Sequence, residues 1–193
     1  MSLFRRGRRV LCRAGAWCGA VLVLSGCAML AERPAPDRDA RDLTAWDLRA
    51  NVVVRGPTRG RGNLRWQQAG EHFTITVSGP FGAGATRLDG TLDRVRVTRG
   101  NDTFDSVEPA QDLARALGMP VPLAQLPRWL RGLAAAPVDG GADPGWVLEV
   151  SEWVVVDGYR LPAELALQAG AQALTLTRMR WEVVEVASGQ AVR

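Results

Sequence analysis

Apolar and polar residues alternate along much of the chain beyond residue 45, at the two-residue period of strands that bury one face. Trp46, Leu48, Ala50, Val52 and Val54 share one face, opposite Asp47, Arg49, Asn51 and Arg55, with Val53 as the exception. Gly56-Pro57 through Gly62 breaks the chain, and a second strand carries Leu64 and Trp66. After a turn at Gly70, the third strand sets Phe73, Ile75 and Val77 against His72, Thr74 and Thr76. Gly79 to Gly84 is a loop by composition, with Phe81 at its centre. Two short strands follow, one with Leu88 and one with Leu92, Val95 and Val97, bounded at Asp89-Gly90 and Arg99-Gly100. The pattern predicts an antiparallel meander of about five strands joined by short hairpins.

The period then changes to that of helices. Ser106 is placed to cap a first helix, with Glu108 and Pro109 in its opening turn, Leu113 and Leu117 four apart, and Gly118 as its stop. Pro120 and Pro122 interrupt the chain before a second short helix with Leu123, Leu126, Trp129 and Leu130, ending at Gly132. Pro127 either fits its first turn or splits it. A linker rich in Ala, Pro and Gly from Ala134 to Gly145 leads back to strands. Trp146, Leu148 and Val150 alternate, Trp153 to Val156 is continuously apolar, and Leu165 and Leu167 alternate again. In the last strand the apolar phase moves from Leu174 and Leu176 to Met179, Trp181 and Val183, which predicts a bulge near Arg178. The expected fold is mainly β (α+β): a curved antiparallel sheet, partly closed, with short helices on one side.

With 193 residues, of which 47% are hydrophobic and 23% charged, the chain suits one folded domain. The net charge of +4 invites a nucleic-acid reading until its placement is considered. Arg5, Arg6, Arg8, Arg9 and Arg13 precede residue 27 with no acid among them, so the remainder carries −1. Beyond that point basic and acidic residues are interspersed, and no nucleic-acid partner is expected.

Residues 1–13 form a positive region and Ala14 through Leu24 an apolar stretch, the two parts of a signal peptide. Leu24-Ser25-Gly26-Cys27 resembles the bacterial lipobox, whose cysteine is acylated after cleavage of the signal just before it. Cys12 and Cys18 leave with such a signal, so no disulfide or cysteine metal site is expected. Ala28, where an Asp would favour inner-membrane retention in lipoproteins like those of enteric bacteria, points to the outer membrane. The expected organisation is a signal peptide at 1–26, the lipidated Cys27 with a flexible tether to 42, a folded domain at 43–187 and a tail at 188–193.

Candidate catalytic chemistry is sparse. His72 is the single histidine, lies on the polar face of its strand, and has no nucleophile elbow or cysteine to serve. The loop Gly79 to Gly84 lacks the Lys-Ser/Thr of a phosphate loop and opens no helix. Asp102 with Asp105, and Asp139 with Asp143, lack metal-ligand spacing and read as solvated turns. An enzyme, a metal and a cofactor are therefore not expected. Six tryptophans remain beyond the signal: Trp46, Trp66, Trp129, Trp146, Trp153 and Trp181. They fit a packed core or the lining of an apolar cavity.

An ordered set of segments resembles the LolB family of bacterial outer-membrane lipoprotein receptors. It comprises the lipobox Cys27, Leu64-Arg65-Trp66-Gln67-Gln68 with Gly70, Gly79-Pro80-Phe81-Gly82, and Gly118-Met119-Pro120-Val121-Pro122-Leu123. It continues through Trp129-Leu130-Arg131-Gly132, Trp153 to Tyr159 with Leu161-Pro162, and Trp181. The resemblance implies a half-closed antiparallel barrel with lid helices over a hydrophobic cavity. Such a protein, a monomer anchored in the outer membrane and facing the periplasm, accepts lipoproteins from the carrier LolA by binding their acyl chains. It then delivers them to the membrane. In the family an exposed apolar residue, typically Leu, follows the loop proline and serves that delivery; Phe81 stands at the matching position. Ordinary packing of Phe81 against the sheet is the alternative.

Candidate acyl-chain residues are Trp66, Phe73, Ile75 and Val77 on the strands, and Leu113, Leu117, Leu126 and Trp129 on the helices. Each also fits plain core packing. Two other functions stay open: a lipid-anchored carrier of a different hydrophobic ligand, and a non-catalytic envelope scaffold with a filled interior.

Overall fold

A computed structural model of the chain describes residues 35–133 and 145–185. The expected signal segment, Cys27, most of the linker after Leu133 and the C-terminal tail lie outside the described residues. The strands are β1 (Ala45–Arg55), β2 (Gly60–Ala69), β3 (His72–Ser78), β4 (Thr86–Gly90), β5 (Val95–Arg99) and β6 (Asp102–Ser106). Helices α1 (Pro109–Leu117) and α2 (Leu126–Leu130) come next, then β7 (Val147–Val156), β8 (Tyr159–Ala169) and β9 (Gln172–Val183).

All nine strands join one antiparallel sheet in the order β6-β5-β4-β3-β2-β1-β9-β8-β7. The last strand returns to pair with the first, which makes β1 the seam between two meanders. The edge strands β6 and β7 do not pair with each other, so the curved sheet is half closed. Strand alternation puts the apolar residues on its inner face. One row of directly opposed residues runs Trp181, Leu48, Trp66, Ile75, Leu88, Val97 across β9, β1, β2, β3, β4 and β5. The segment bearing α1 and α2 starts at one edge of the sheet and β7 forms the other. Its apolar residues join those of the inner face in a single core.

The bulge expected in the last strand is present. Arg49 faces Arg180 and Asn51 faces Thr177, so Ala50 stands opposite both Arg178 and Met179. Arg178 takes a φ of 53°, and the extra residue returns Met179 to the core while Arg178 stays outside. The β7–β8 hairpin turns through Asp157 and Gly158, both at positive φ, the geometry that lets a two-residue turn follow strand twist. Pro127 sits in the first turn of α2, where its missing N–H costs nothing, and the helix is not split.

Four expectations need correction. Asp102–Ser106 is a sixth strand, not a solvated turn. It is an edge strand with its side chains largely in solvent, so it shows no apolar alternation. Leu92 belongs to the β4–β5 connection and is exposed, because β5 begins only at Val95. Glu108, not Ser106, occupies the cap position of α1. Pro109 takes the first helical position, and the Ser106 hydroxyl instead accepts the Glu108 N–H at 3.1 Å. The tether is docked at its C-terminal end, where Asp37 N and Arg38 N both donate to Gly158 O at 3.1 Å. There the Arg38 guanidinium lies over the Tyr159 ring, 4.3 Å from its centroid.

Candidate functional site

The inner face is built by strand alternation and closed by helix amphipathicity. Trp66 on β2 opposes Ile75 on β3, with Phe73 and Val77 to either side of Ile75 on the same face. All four are buried. Aromatic rings continue the row sideways: Trp46 lies 6.0 Å from Trp66 and 5.2 Å from Trp181, and Trp66 lies 6.0 Å from Phe73. Such tilted and edge-on pairs add to the energy of burial itself. The indole N–H groups are satisfied, Trp66 donating to Gln68 Oε1 at 2.8 Å and Trp181 to the Pro162 carbonyl at 2.7 Å. Two residues of the expected motifs, Gln68 and Pro162, thus serve as acceptors for the buried Trp66 and the partly buried Trp181.

Leu113 and Leu117 of α1 and Leu126 and Trp129 of α2 are buried in the same cluster, together with Met119, Val121, Leu123 and Leu130. All eight candidate residues are therefore brought together in one apolar interior. Val77 and Leu117 also line an opening of about 130 Å³ between the ends of β1, β2 and β3 and the end of α1, beside Gly79 and Gly84. A second, more open groove of about 460 Å³ is lined by Leu92, Val107, Pro109, Pro122 and Leu123.

The loop after β3 forms a 3-10 turn over Pro80–Gly82. Gly79 N–H donates to Ala83 O at 2.8 Å and Gly82 N–H to Gly79 O at 3.1 Å, tying the loop across its base. Positive φ values of 80° and 61° at Gly82 and Gly84 explain the glycines. Pro80, Gly82, Ala83 and Gly84 are exposed; the Phe81 side chain lies outside the described ones.

Arg131 is the residue whose purpose the sequence left unread. Its Nε donates to Pro127 O at 2.9 Å, while Nη1 donates to Ala40 O at 3.0 Å and Leu43 O at 2.8 Å. It caps α2 and fastens the chain entering β1. Burial, followed by the nearby Arg128, lowers its pKa from the usual arginine value. The neighbouring Gly132 sits at φ +77° against the Trp153 ring, where a Cβ would come within 2.5 Å of the indole. The Trp-Leu-Arg-Gly segment thus combines two core residues, a cap and a close approach.

His72 lies on the outer face, its Nε2 3.0 Å from Asp89 Oδ1. Asp89 also accepts from Arg87 at 2.6 Å and Thr74 at 3.1 Å. Desolvation pushes its pKa up, but these hydrogen bonds outweigh it and hold the carboxyl below its usual value. Among the described residues no three His, Cys, Asp or Glu side chains gather to hold a metal ion, and no helix is long and apolar enough to cross a membrane.

A family model described as outer membrane lipoprotein LolB matches residues 44–181, which span the sheet from β1 into β9 and both helices. The chain belongs to the LolB family. It is similar to the outer-membrane lipoprotein LolB of Chromohalobacter salexigens, at 32% identity over 89% of this chain and 92% of that one. It is also similar to LolB of Halorhodospira halophila, at 31% identity over 84% and 91% of the two chains. LolB of Pseudomonas fluorescens is 30% identical over 83% and 91%. The likeness covers the apolar interior, the loop after β3 and the Arg131 cap of this LolB-family chain.

Proposed function

We propose that this protein is an outer-membrane lipoprotein receptor, anchored through Cys27 with its body in the periplasm. It accepts lipoproteins from the carrier LolA, holds their acyl chains in its apolar interior, and inserts them into the outer membrane. The observation that carries this reading is the single apolar interior shared by the inner face of a half-closed sheet and both helices. Burying each methylene is worth about 0.8 kcal/mol, so an acyl chain leaves its carrier only for comparable apolar surface. A lipid-sized ligand needs roughly 300 Å³ or more. The opening beside Val77 and Leu117 is smaller than that, at about 130 Å³. On this reading the helices part from the sheet as an acyl chain enters, so that the chain meets Trp66, Phe73, Ile75, Leu113, Leu126 and Trp129.

Transfer of this kind makes and breaks no covalent bond. It needs no cofactor, and the protein acts as a monomeric binding component. Delivery falls to Phe81, at the centre of a loop in which Pro80, Gly82, Ala83 and Gly84 are exposed. An aromatic ring there enters the lipid interface at low cost.

Transfer of a radiolabelled lipoprotein from the purified carrier tests the reading, with the mature parent and Phe81→Glu followed through a membrane-insertion step. Acceptance by both, with insertion by the parent alone, is the expected result. Failure of the parent to accept a lipoprotein from its cognate carrier would exclude a receptor and favour another hydrophobic ligand or a scaffold role.

A further inference from the structure

The outer face of the sheet, behind the apolar interior, gathers arginines that are scattered in the sequence. Arg65 on β2, Arg49 on β1 and Arg180 on β9 are directly opposed neighbours, and the β9 bulge adds Arg178 to the same face. Like charges set opposite one another across strands destabilise a sheet, so this row is costly unless something offsets it. Asp47 offsets part of it, accepting from Arg65 Nη2 at 2.6 Å and Nε at 3.1 Å. Arg49, Arg178 and Arg180 make no ion pair or side-chain hydrogen bond among the described residues. Glu182 lines a smaller pocket beside Arg49, Arg180 and Asp47, which leaves four guanidiniums facing two carboxylates.

The four arginines line a groove of about 330 Å³, with Asn63 and Ser78 among its polar lining. Ser78 also lines the opening that reaches Gly79 and Gly84, and Asn63 Nδ2 donates to Gly79 O at 3.4 Å. The groove therefore lies beside the loop that carries Phe81. We propose that it binds the phosphodiester of an anionic glycerophospholipid headgroup while that loop meets the membrane. The inference rests on the membrane placement given under the proposed function. Guanidinium forks match phosphate oxygens two at a time, and a concavity of this size suits a headgroup better than the flat face of a protein.

The full-length lipidated protein, reconstituted through its anchor, is placed in vesicles of phosphatidylcholine alone or of phosphatidylcholine with phosphatidylglycerol. Arginine modification by phenylglyoxal is then read by peptide mass spectrometry. A basic residue at an anionic membrane surface gains about fivefold in association, so Arg49, Arg178 and Arg180 should react about fivefold more slowly with phosphatidylglycerol present. Arg94, exposed on the β4–β5 connection, should not change. Combining Arg49→Gln with Arg180→Gln should remove the protection at Arg178.

Equal reactivity in the two vesicles would overturn the proposal. So would equal protection by inorganic phosphate over phosphatidylcholine, which would assign the groove to free anions. Protection that appears only when soluble carrier is added would assign it to a protein partner instead. Lipoprotein transfer measured on the same vesicles separates the two ideas. Transfer without protection removes the headgroup site alone, whereas protection without transfer keeps the site and removes the receptor.

Discussion

The guanidinium of Arg131 donates to the carbonyl of Leu43 at 2.8 Å, joining the end of α2 to the chain entering β1. One planar group satisfies carbonyls from Pro127, Ala40 and Leu43, so the lid helix and the docked end of the tether share a fastening. Arg131→Ala strands these partly buried acceptors and should cost about 2 kcal/mol, lowering the melting temperature by roughly 4 to 8 °C. Arg131→Lys keeps the charge without the fork and should recover less than half of that loss. Thermal unfolding of the two variants checks both values, and full recovery by lysine would mean that charge alone holds the contact.

Gly132 and Gly82 have similar φ values, 77° and 80°, in different surroundings. An added Cβ at Gly132 meets the Trp153 ring at 2.5 Å, whereas at Gly82 it meets nothing within 4 Å. Gly82→Ala should therefore cost only the backbone penalty of about 1 kcal/mol. Gly132→Ala adds a clash with the ring and should cost about 2 to 4 kcal/mol. Urea unfolding of both variants measures the difference, and equal losses would remove the steric reason for glycine after Arg131.

Asp89 makes stability depend on pH in a stated direction. Its pKa is held below the ordinary 3.8 by its hydrogen bonds, despite desolvation. The folded state therefore binds this proton less readily than the unfolded chain. The stabilisation is fully present above the unfolded carboxyl range and disappears as pH falls through the lower folded value. Asp89→Asn should reduce stability near neutral pH and flatten the acid limb below about pH 4. An acid titration of unfolding free energy with unchanged slope in the variant would assign that limb to other carboxylates.

Cys27 is the proposed attachment point of the lipid. Replacing it with Ala should abolish incorporation of labelled palmitate in cells while leaving the fold of residues 43–185 intact, since the described core contains no cysteine. Gel autoradiography reads the label, and circular dichroism checks the fold. Retained label in Cys27→Ala would move the acylation elsewhere.

Trp66 sits between Trp46 and Phe73 and is 1% exposed. Trp66→Ala should lose about 3 to 5 kcal/mol in equilibrium unfolding. A loss under 1 kcal/mol would indicate that the interior is loosely filled and already able to accept a ligand.

The chain's own pattern marks the strands that bury one face. For β1, β2 and β3 the two-residue period names the inward side chains directly, because burial on one face alone imposes that alternation. It also placed the bulge, since an apolar phase shift within one strand has no other economical solution. The lipobox and the ordered motifs brought the family within reach, and the eight candidate residues all fall in one interior. It could not disclose β6, whose side chains lie largely in solvent and leave no pattern, nor the docking of Asp37 and Arg38 on the β7–β8 hairpin.

What Arg131 reaches is set by the folded arrangement, because its partners at Ala40 and Leu43 are about ninety residues away along the chain. The same holds for the outer arginine row. Arg49, Arg65 and Arg180 are separated along the sequence and become neighbours only when β1 pairs with β2 on one side and β9 on the other. Local periodicity reports the face on which a residue lies. Strand order and register determine what it meets there.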